Sequence, residues 1–462
     1  MTTPTLACET HGQPTRISCV ECGKPVCPKC MVRTEVGTKC ETCARPVAPK
    51  ITRPPRSRSP WLLGLLGAVL VVGAIVALRL NQGGGSKPVA ALPVLGTWSK
   101  EPSLSSIRGT AAVVLLRNGQ VLAAGGGVGT IPLAASELFD SSSRSWKPTG
   151  ALNEPRRGAA AVVLTDGRVL IAGGVAGPTL LASTEIYDPG TGHWTPSGTM
   201  AIARLGGTMT VLPGGDVLIA GGTTTGGQQG TGGGQTISPS ATAELFHVAT
   251  GQWSSTRSMA DSRFEATATV LSDGRVLIVG GLGGPGTPSP TGVQFGPLRS
   301  AEIFDPAVGA FTGAGSMAEG RALQVAARLA NGQVLVAGGL GGPGGTVTLS
   351  SVERFEPTTG AWSEVAPMSQ GRTGASAAAL KNGMVLVTGG ETVDQGARHS
   401  LAAAQVFDPA KDVWNPAGSM SCPRSGAGTA LLADGSVLVV AGDTAFPGRP
   451  PVAQGCVDRY LP

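Results

Sequence analysis

The chain has 462 residues, 41% of them apolar, with 35 lysines and arginines against 29 aspartates and glutamates. The net charge of +6 sits wholly in residues 1–60, which hold ten basic and four acidic side chains, while the remainder holds 25 of each. That balance gives the large carboxy-terminal part no electrostatic ground for binding nucleic acid.

The first element is a run of paired metal-binding side chains: Cys8 and His11, Cys19 and Cys22, Cys27 and Cys30, Cys40 and Cys43, each pair separated by two residues. Eight such ligands suit two tetrahedral Zn²⁺ ions with every position filled, which is the pattern of structural rather than catalytic zinc. The string CVECGKPVCPKCM resembles the B-box type of zinc finger found before some bacterial rhomboid proteases. The resemblance implies interleaved sites, with Cys8, His11, Cys27 and Cys30 on one ion and Cys19, Cys22, Cys40 and Cys43 on the other. The finger is assigned to residues 1–45. A domain of this size has little core, so the metal would supply much of its folding free energy.

A basic segment (46–60) leads into Trp61–Leu80, twenty residues broken only by Arg79. At 1.5 Å per residue that run reaches about 30 Å, enough for one transmembrane helix. Arg45, Lys50, Arg53, Arg56 and Arg58 crowd its amino-terminal side, which puts the finger in the cytoplasm and the rest of the chain outside the plasma membrane, with the basic flank against anionic lipid. Gly64 and Ala68 form a small-x3-small pair compatible with homodimerisation of the helix. Residues 81–96 read as a Gly/Pro-rich linker.

From Thr97 onward one pattern recurs seven times. An arginine (Arg108, Arg156, Arg204, Arg263, Arg321, Arg372, Arg424) stands ten residues before a turn of the Asn-Gly, Asp-Gly or Gly-Gly kind. Apolar runs flank the turn, the sign of a two-residue hairpin. The second run ends in Gly-Gly, or Ala441-Gly442 in the last copy. A third strand carries Glu137, Glu185, Glu244, Glu302, Glu353, Gln405 or Asp458 and one aromatic, and a fourth carries a Trp or Phe. The period of about fifty residues and these positions closely resemble kelch repeats. The resemblance implies a mainly β fold, a seven-bladed propeller over 97–462, with Thr97-Trp98-Ser99 completing the last blade so that the ring has no open edge.

Sevenfold recurrence marks the arginines, their acids and the apolar series Leu104, Leu152, Met200, Met259, Met317, Met368 and Met420 as scaffold. The repeated slots also absorb the aromatics, leaving Phe264, Phe295 and Phe446 over, which weakens a carbohydrate-active or glycan-binding reading. The galactose oxidase group resembles this chain in blade number and holds copper with tyrosine and histidine. Here Tyr187 and Tyr460 fill repeated slots, while His193 lies in a hairpin, His247 at a strand end and His399 in a loop, so no copper is expected.

Length variation gathers between the second glycine and the third-strand acid, where the gaps are 11, 11, 22, 21, 14, 15 and 16 residues. Function is therefore expected on that face, on loops carried by a rigid frame. The insertions 222–243 and 281–301 are rich in Gly, Pro, Ser and Thr, a composition that resists fixed structure. Phe295, Arg299 and Phe446 are candidate contacts for a protein partner. Unrepeated charges on the same face are Glu154, Arg157, Asp261, Glu265, Glu319, Glu391, Asp394, Arg398, Asp443 and Arg449. Cys422 and Cys456 are a candidate disulfide around the closing blade. The expected function is protein recognition or scaffolding outside the membrane, an enzyme being the less favoured reading.

Overall fold

In the computed structural model the described residues are four short strands before residue 41, together with 92–225, 237–289, 292–394, 397–445 and 451–462. The chain divides into two units, Met1–Val89 and Ala90–Pro462. In the first, Leu6–Ala7 pairs with Pro14–Thr15 and Met31–Thr34 with Gly37–Cys40, both antiparallel. The eight expected zinc ligands lie outside the described residues, except that the backbone of Cys40 ends a strand. The 61–80 run lies outside them too. Among the described residues no helix is long and apolar enough to cross a membrane.

The second unit is built, among the described residues, from seven four-stranded antiparallel sheets. Blade two shows the plan: Ala160–Val163, Val169–Ala172, Thr184–Asp188 and His193–Pro196, paired in that order. The first strands of successive blades adjoin one another around a ring that closes between Gly428–Leu431 of blade seven and Ala112–Leu115 of blade one. Blade seven takes its outer strand from Thr97–Glu101, which pairs with Val457–Leu461. The second strands read as unbroken apolar runs because neighbouring blades cover both their faces; Val169–Ala172 is fully buried. The core therefore lies between blades, as where Val121 and Phe139 of blade one meet Leu438 and Val440 of blade seven. Each third-strand aromatic tilts against the ring beside it in the fourth strand, with centroids 5.1 Å apart for Tyr187 and Trp194.

The hairpin turns differ from the two-residue form expected. Leu116 and Gln120 close a three-residue loop, with the Leu116 N–H donating to Gln120 O at 2.8 Å and only Gly119 left-handed, at φ 85°. Asn118 Oδ1 accepts the Gln120 N–H at 3.0 Å, and Asp166 and Asp434 serve Arg168 and Ser436 alike. This side-chain bond favours a type I turn with a glycine bulge over the primed two-residue turn.

The glycine pairs join the blades. A Cβ on Gly125 would come within 2.6 Å of the Arg156 carbonyl of the next blade, and the N–H of Gly126 donates to that same oxygen at 2.9 Å. The contact repeats round the ring at 2.8–3.0 Å, lengthening to 3.3 Å at the closing seam, where Gly442 meets Arg108 and Ala441 takes the first glycine's place at φ 60°.

The buried arginines tie each blade's loop end together. Arg321 donates from Nη1 to Gly338 O and Ser351 O, both at 3.0 Å, and from Nη2 to Glu353 at 2.6 Å. Glu353 also accepts the backbone N–H of Ala318 at 2.7 Å, fixing the incoming connection. Corresponding ion pairs join Arg108, Arg156, Arg204, Arg263 and Arg424 to their third-strand acids.

Candidate functional site

In an antiparallel blade the second-to-third loops and the connections between blades emerge at one end. Here each connection bridges the loop of its own blade: Gly109 with Gly127, Arg157 with Val175, Leu205 with Thr223, Phe264 with Leu282, Ala322 with Leu340, Thr373 with Glu391 and Ser425 with Asp443. The next residue in every copy is left-handed: Thr110 (φ 48°), Gly158 (63°), Gly206 (66°), Glu265 (54°), Leu323 (54°), Gly374 (59°) and Gly426 (59°). Backbone hydrogen bonds run along this series, from Glu265 N to Gly206 O at 2.9 Å, Leu323 N to Glu265 O at 3.1 Å, Gly374 N to Leu323 O at 2.9 Å and Gly426 N to Gly374 O at 2.8 Å. They join these residues into a rim at the loop end of the ring.

Glycine is the unstrained choice at such positions, and a side chain there costs about 1–2 kcal/mol. Three copies carry one regardless, and only Glu265 is ionisable. Its carboxyl is tucked against Gly206, where a Cβ would stand 2.7 Å from Oε1, and burial pushes its pKa up. Among the charges at this end it is one that the sequence singled out only indirectly. The signal is the position two residues after each repeated arginine, where four glycines isolate Thr110, Glu265 and Leu323.

A second cluster gathers around Asp443. Burial raises its pKa, the Arg157 guanidinium opposes that rise, and the charge of Glu391 adds to it. Glu391 accepts from Ser425 Oγ at 2.6 Å and stands 3.5 Å from Arg398. Arg157 donates to Gly129 O. Gly109 leaves the space that Asp443 fills, since a Cβ there would overlap its carboxylate. Gly127, Thr130, Arg157, Asp443 and Pro451 border a cavity of about 300 Å³. The fold thus brings together Arg157, Glu391, Arg398 and Asp443.

Other expected contacts resolve differently. Glu154, Asp261 and Glu319 belong to the scaffold: they accept from Ser183, Ser300 and Ser351 and approach the repeated arginines, Glu154 lying 3.5 Å from Arg156. The backbone folds each acid over the arginine two residues later, so these are not free site groups. The 281–301 insertion is not shapeless. Leu282–Ser289 and Gly292–Pro297 form a hairpin that extends onto Arg263–Phe264, because backbone pairing needs little of its side chains. Phe295 is half-buried within it, while exposed Arg299 donates to Met317 O at 2.8 Å. In the 222–243 insertion, Thr223–Thr225 pairs with Ile237–Pro239. Phe446 and Arg449 lie outside the described residues. Cys422 and Cys456 are disulfide-bonded, with Cα atoms 6.5 Å apart.

His399 lies in a strand, Ala397–Ser400, rather than an irregular loop. His247 is engaged at the opposite end, 2.7 Å from Asp216 and 2.8 Å from Ser254 Oγ. The tyrosine hydroxyls serve packing: Tyr187 meets Thr149 Oγ1 at 2.7 Å and Tyr460 donates to Leu95 O at 2.9 Å. Among the described residues no group of three or more His, Cys, Asp or Glu side chains could hold a metal ion.

The Kelch motif family matches residues 156–201 and 322–369, the repeats of blades two and five. This ring is a kelch β-propeller. Its curated relatives include an F-box/kelch-repeat protein of Arabidopsis thaliana, 35% identical over 116 residues (25% of this chain and 24% of that protein). Kelch-like protein 33 of Homo sapiens is 34% identical over 125 residues, covering 27% of this chain and 22% of its own. The matched stretches thus span about a quarter of those relatives' lengths. A solved copper-bound fungal alcohol oxidase of the AA5 family matches with a TM-score of 0.60 at 17% identity, over 79% of this chain and 76% of its own. That likeness concerns the fold of the kelch propeller alone.

Proposed function

We propose that the chain is a single-pass plasma-membrane protein whose kelch propeller recognises a protein partner outside the membrane, through the rim at its loop end. Kelch repeats generally serve as protein-interaction modules, and the kelch-repeat relatives support that role here. The observation that carries the choice of face is Glu265, an acid kept in a left-handed rim where glycine would cost less. Arg157, Glu391 and Asp443 add further charge on the same end.

The rest of the proposal rests on sequence. Residues 61–80 span the membrane, the basic flank keeps the amino terminus in the cytoplasm, and Cys8, His11, Cys27 and Cys30 with Cys19, Cys22, Cys40 and Cys43 hold two structural zinc ions. Homodimerisation through Gly64 and Ala68 is part of the same proposal.

The test is cross-linking of cells displaying the full-length chain, comparing wild type with a Glu265→Gln/Asp443→Asn variant. A discrete cross-linked partner lost only in the variant supports the face, and equal capture removes it. Metal analysis of the purified chain should give two zinc ions, and chelation that leaves the finger folded removes that part.

The raised carboxyls of Glu265 and Asp443 favour a second reading, a carbohydrate-active propeller. Oligosaccharide turnover lost in the same variant would carry the function there.

A further inference from the structure

Six blades set a carboxylate against their buried arginine; in blade six Arg372 meets Gln405. The two side chains are not equivalent as acceptors. In blade five, Glu353 offers one oxygen to Arg321 Nη2 at 2.6 Å and the other to the Ala318 N–H at 2.7 Å. Glutamine has a single carbonyl oxygen in that place and brings amide protons instead. Gln405 Oε1 accepts from the Ser369 N–H at 3.1 Å, and Nη2 of Arg372 is left without an acceptor. Arg372 Nε has no partner either, as in Arg321, and turning the amide over would serve Nη2 only by stranding the backbone N–H of Ser369.

No second acid relieves it. The position occupied by Glu154, Asp261 and Glu319 in blades two, four and five is Gln370 here. Arg372 is 1% exposed and keeps its Nη1 bonds to Gly389 O at 3.0 Å and Ala403 O at 2.9 Å. Burial lowers its pKa to about 10, which still leaves it cationic at neutral pH.

The same corner opens into a cavity of about 460 Å³ lined by both Arg372 and Gln405. Leu92, Val94, Trp414 and Pro416 give it an apolar wall, and the arm that carries Leu92 and Val94 is held there by the Leu95 N–H donating to Pro416 O at 2.8 Å. An enclosed cation beside an apolar cavity asks for an anion with a hydrocarbon body.

We propose that this pocket binds a short aliphatic monocarboxylate. Its head supplies the acceptor that Gln405 lacks, bonding Nη2 of Arg372, and its alkyl body lies along Leu92, Val94 and Trp414. Gln405 gates the guanidinium: one side-chain hydrogen bond holds it, and rotation about its flexible stem admits the head.

The test uses the purified full-length chain and sodium propionate, with sodium chloride, sodium sulfate and propanol as controls at matched ionic strength. Propionate should raise the thermal midpoint and broaden the line of ¹³C-carboxyl propionate, and the controls should do neither. Gln405→Glu restores the internal pair, so it should raise the midpoint without ligand and weaken propionate binding at least about tenfold. Equal propionate responses in wild type and Gln405→Glu would overturn the site. So would an equal midpoint rise with sulfate or propanol, or unbroadened propionate in wild type.

Discussion

Replacing Glu353 by glutamine would install in blade five the arrangement that blade six already has. The Glu353 carboxylate is 3% exposed and serves Arg321 Nη2 at 2.6 Å and Ala318 N at 2.7 Å, so the substitution removes one of two short bonds and the counter-charge together. Breaking one side of a buried pair typically costs about 3–5 kcal/mol, because the other charge is left enclosed. Glu319, 3.9 Å from Arg321 Nη2 and half exposed, offsets part of that loss. The expected cost is therefore about 3 kcal/mol, the low end of the range. Adding Glu319→Ala should push it higher, more than the sum of the two single changes. Urea unfolding of the full chain, followed by tryptophan fluorescence, reads this directly. A loss below about 1 kcal/mol, the scale of an exposed pair, would refute the reasoning that the repeated pairs hold the blades.

Three further outcomes follow from the ring. Ala441→Gly should raise stability by about 1 kcal/mol in thermal unfolding, since Ala441 carries a Cβ at φ 60° where other copies have glycine. Reducing the 34-residue disulfide loop, or replacing Cys422 and Cys456 by serine, should cost about 3–4 kcal/mol in the same assay. Burial raises the folded-state pKa of Glu265 above its unfolded value, so folding binds the proton more tightly. Its contribution is full below the ordinary glutamate pKa and falls as pH rises through the raised one. Glu265→Gln should flatten the stability profile in that window, and an unchanged slope would count against a raised Glu265 carboxyl.

The frame was legible because each of its parts recurs. Arg108 through Arg424, the glycine pairs and the third-strand acids repeat in register, and the structure turns them into ion pairs and blade contacts. The turn length was not legible, since Asn118-Gly119 fits a two- or three-residue loop and the choice rests on a side-chain bond to Gln120. Nor was the role of Glu154, Asp261 and Glu319, which approach the arginines only once the connection folds back. The hairpin at Leu282–Ser289 was hidden by a Gly/Pro/Ser composition that masks backbone pairing. Glu265 stood in the sequence as one unrepeated charge among ten; its left-handed backbone singles it out.

The central claim is that the repeated set builds the ring while the rim carries recognition. Glu265→Gly separates the two, because glycine relieves the rim and deletes its one ionisable side chain. Stability and partner cross-linking, measured together on the full chain, should show a midpoint at or above wild type with the cross-link lost. A destabilised variant that still captures its partner would contradict the claim.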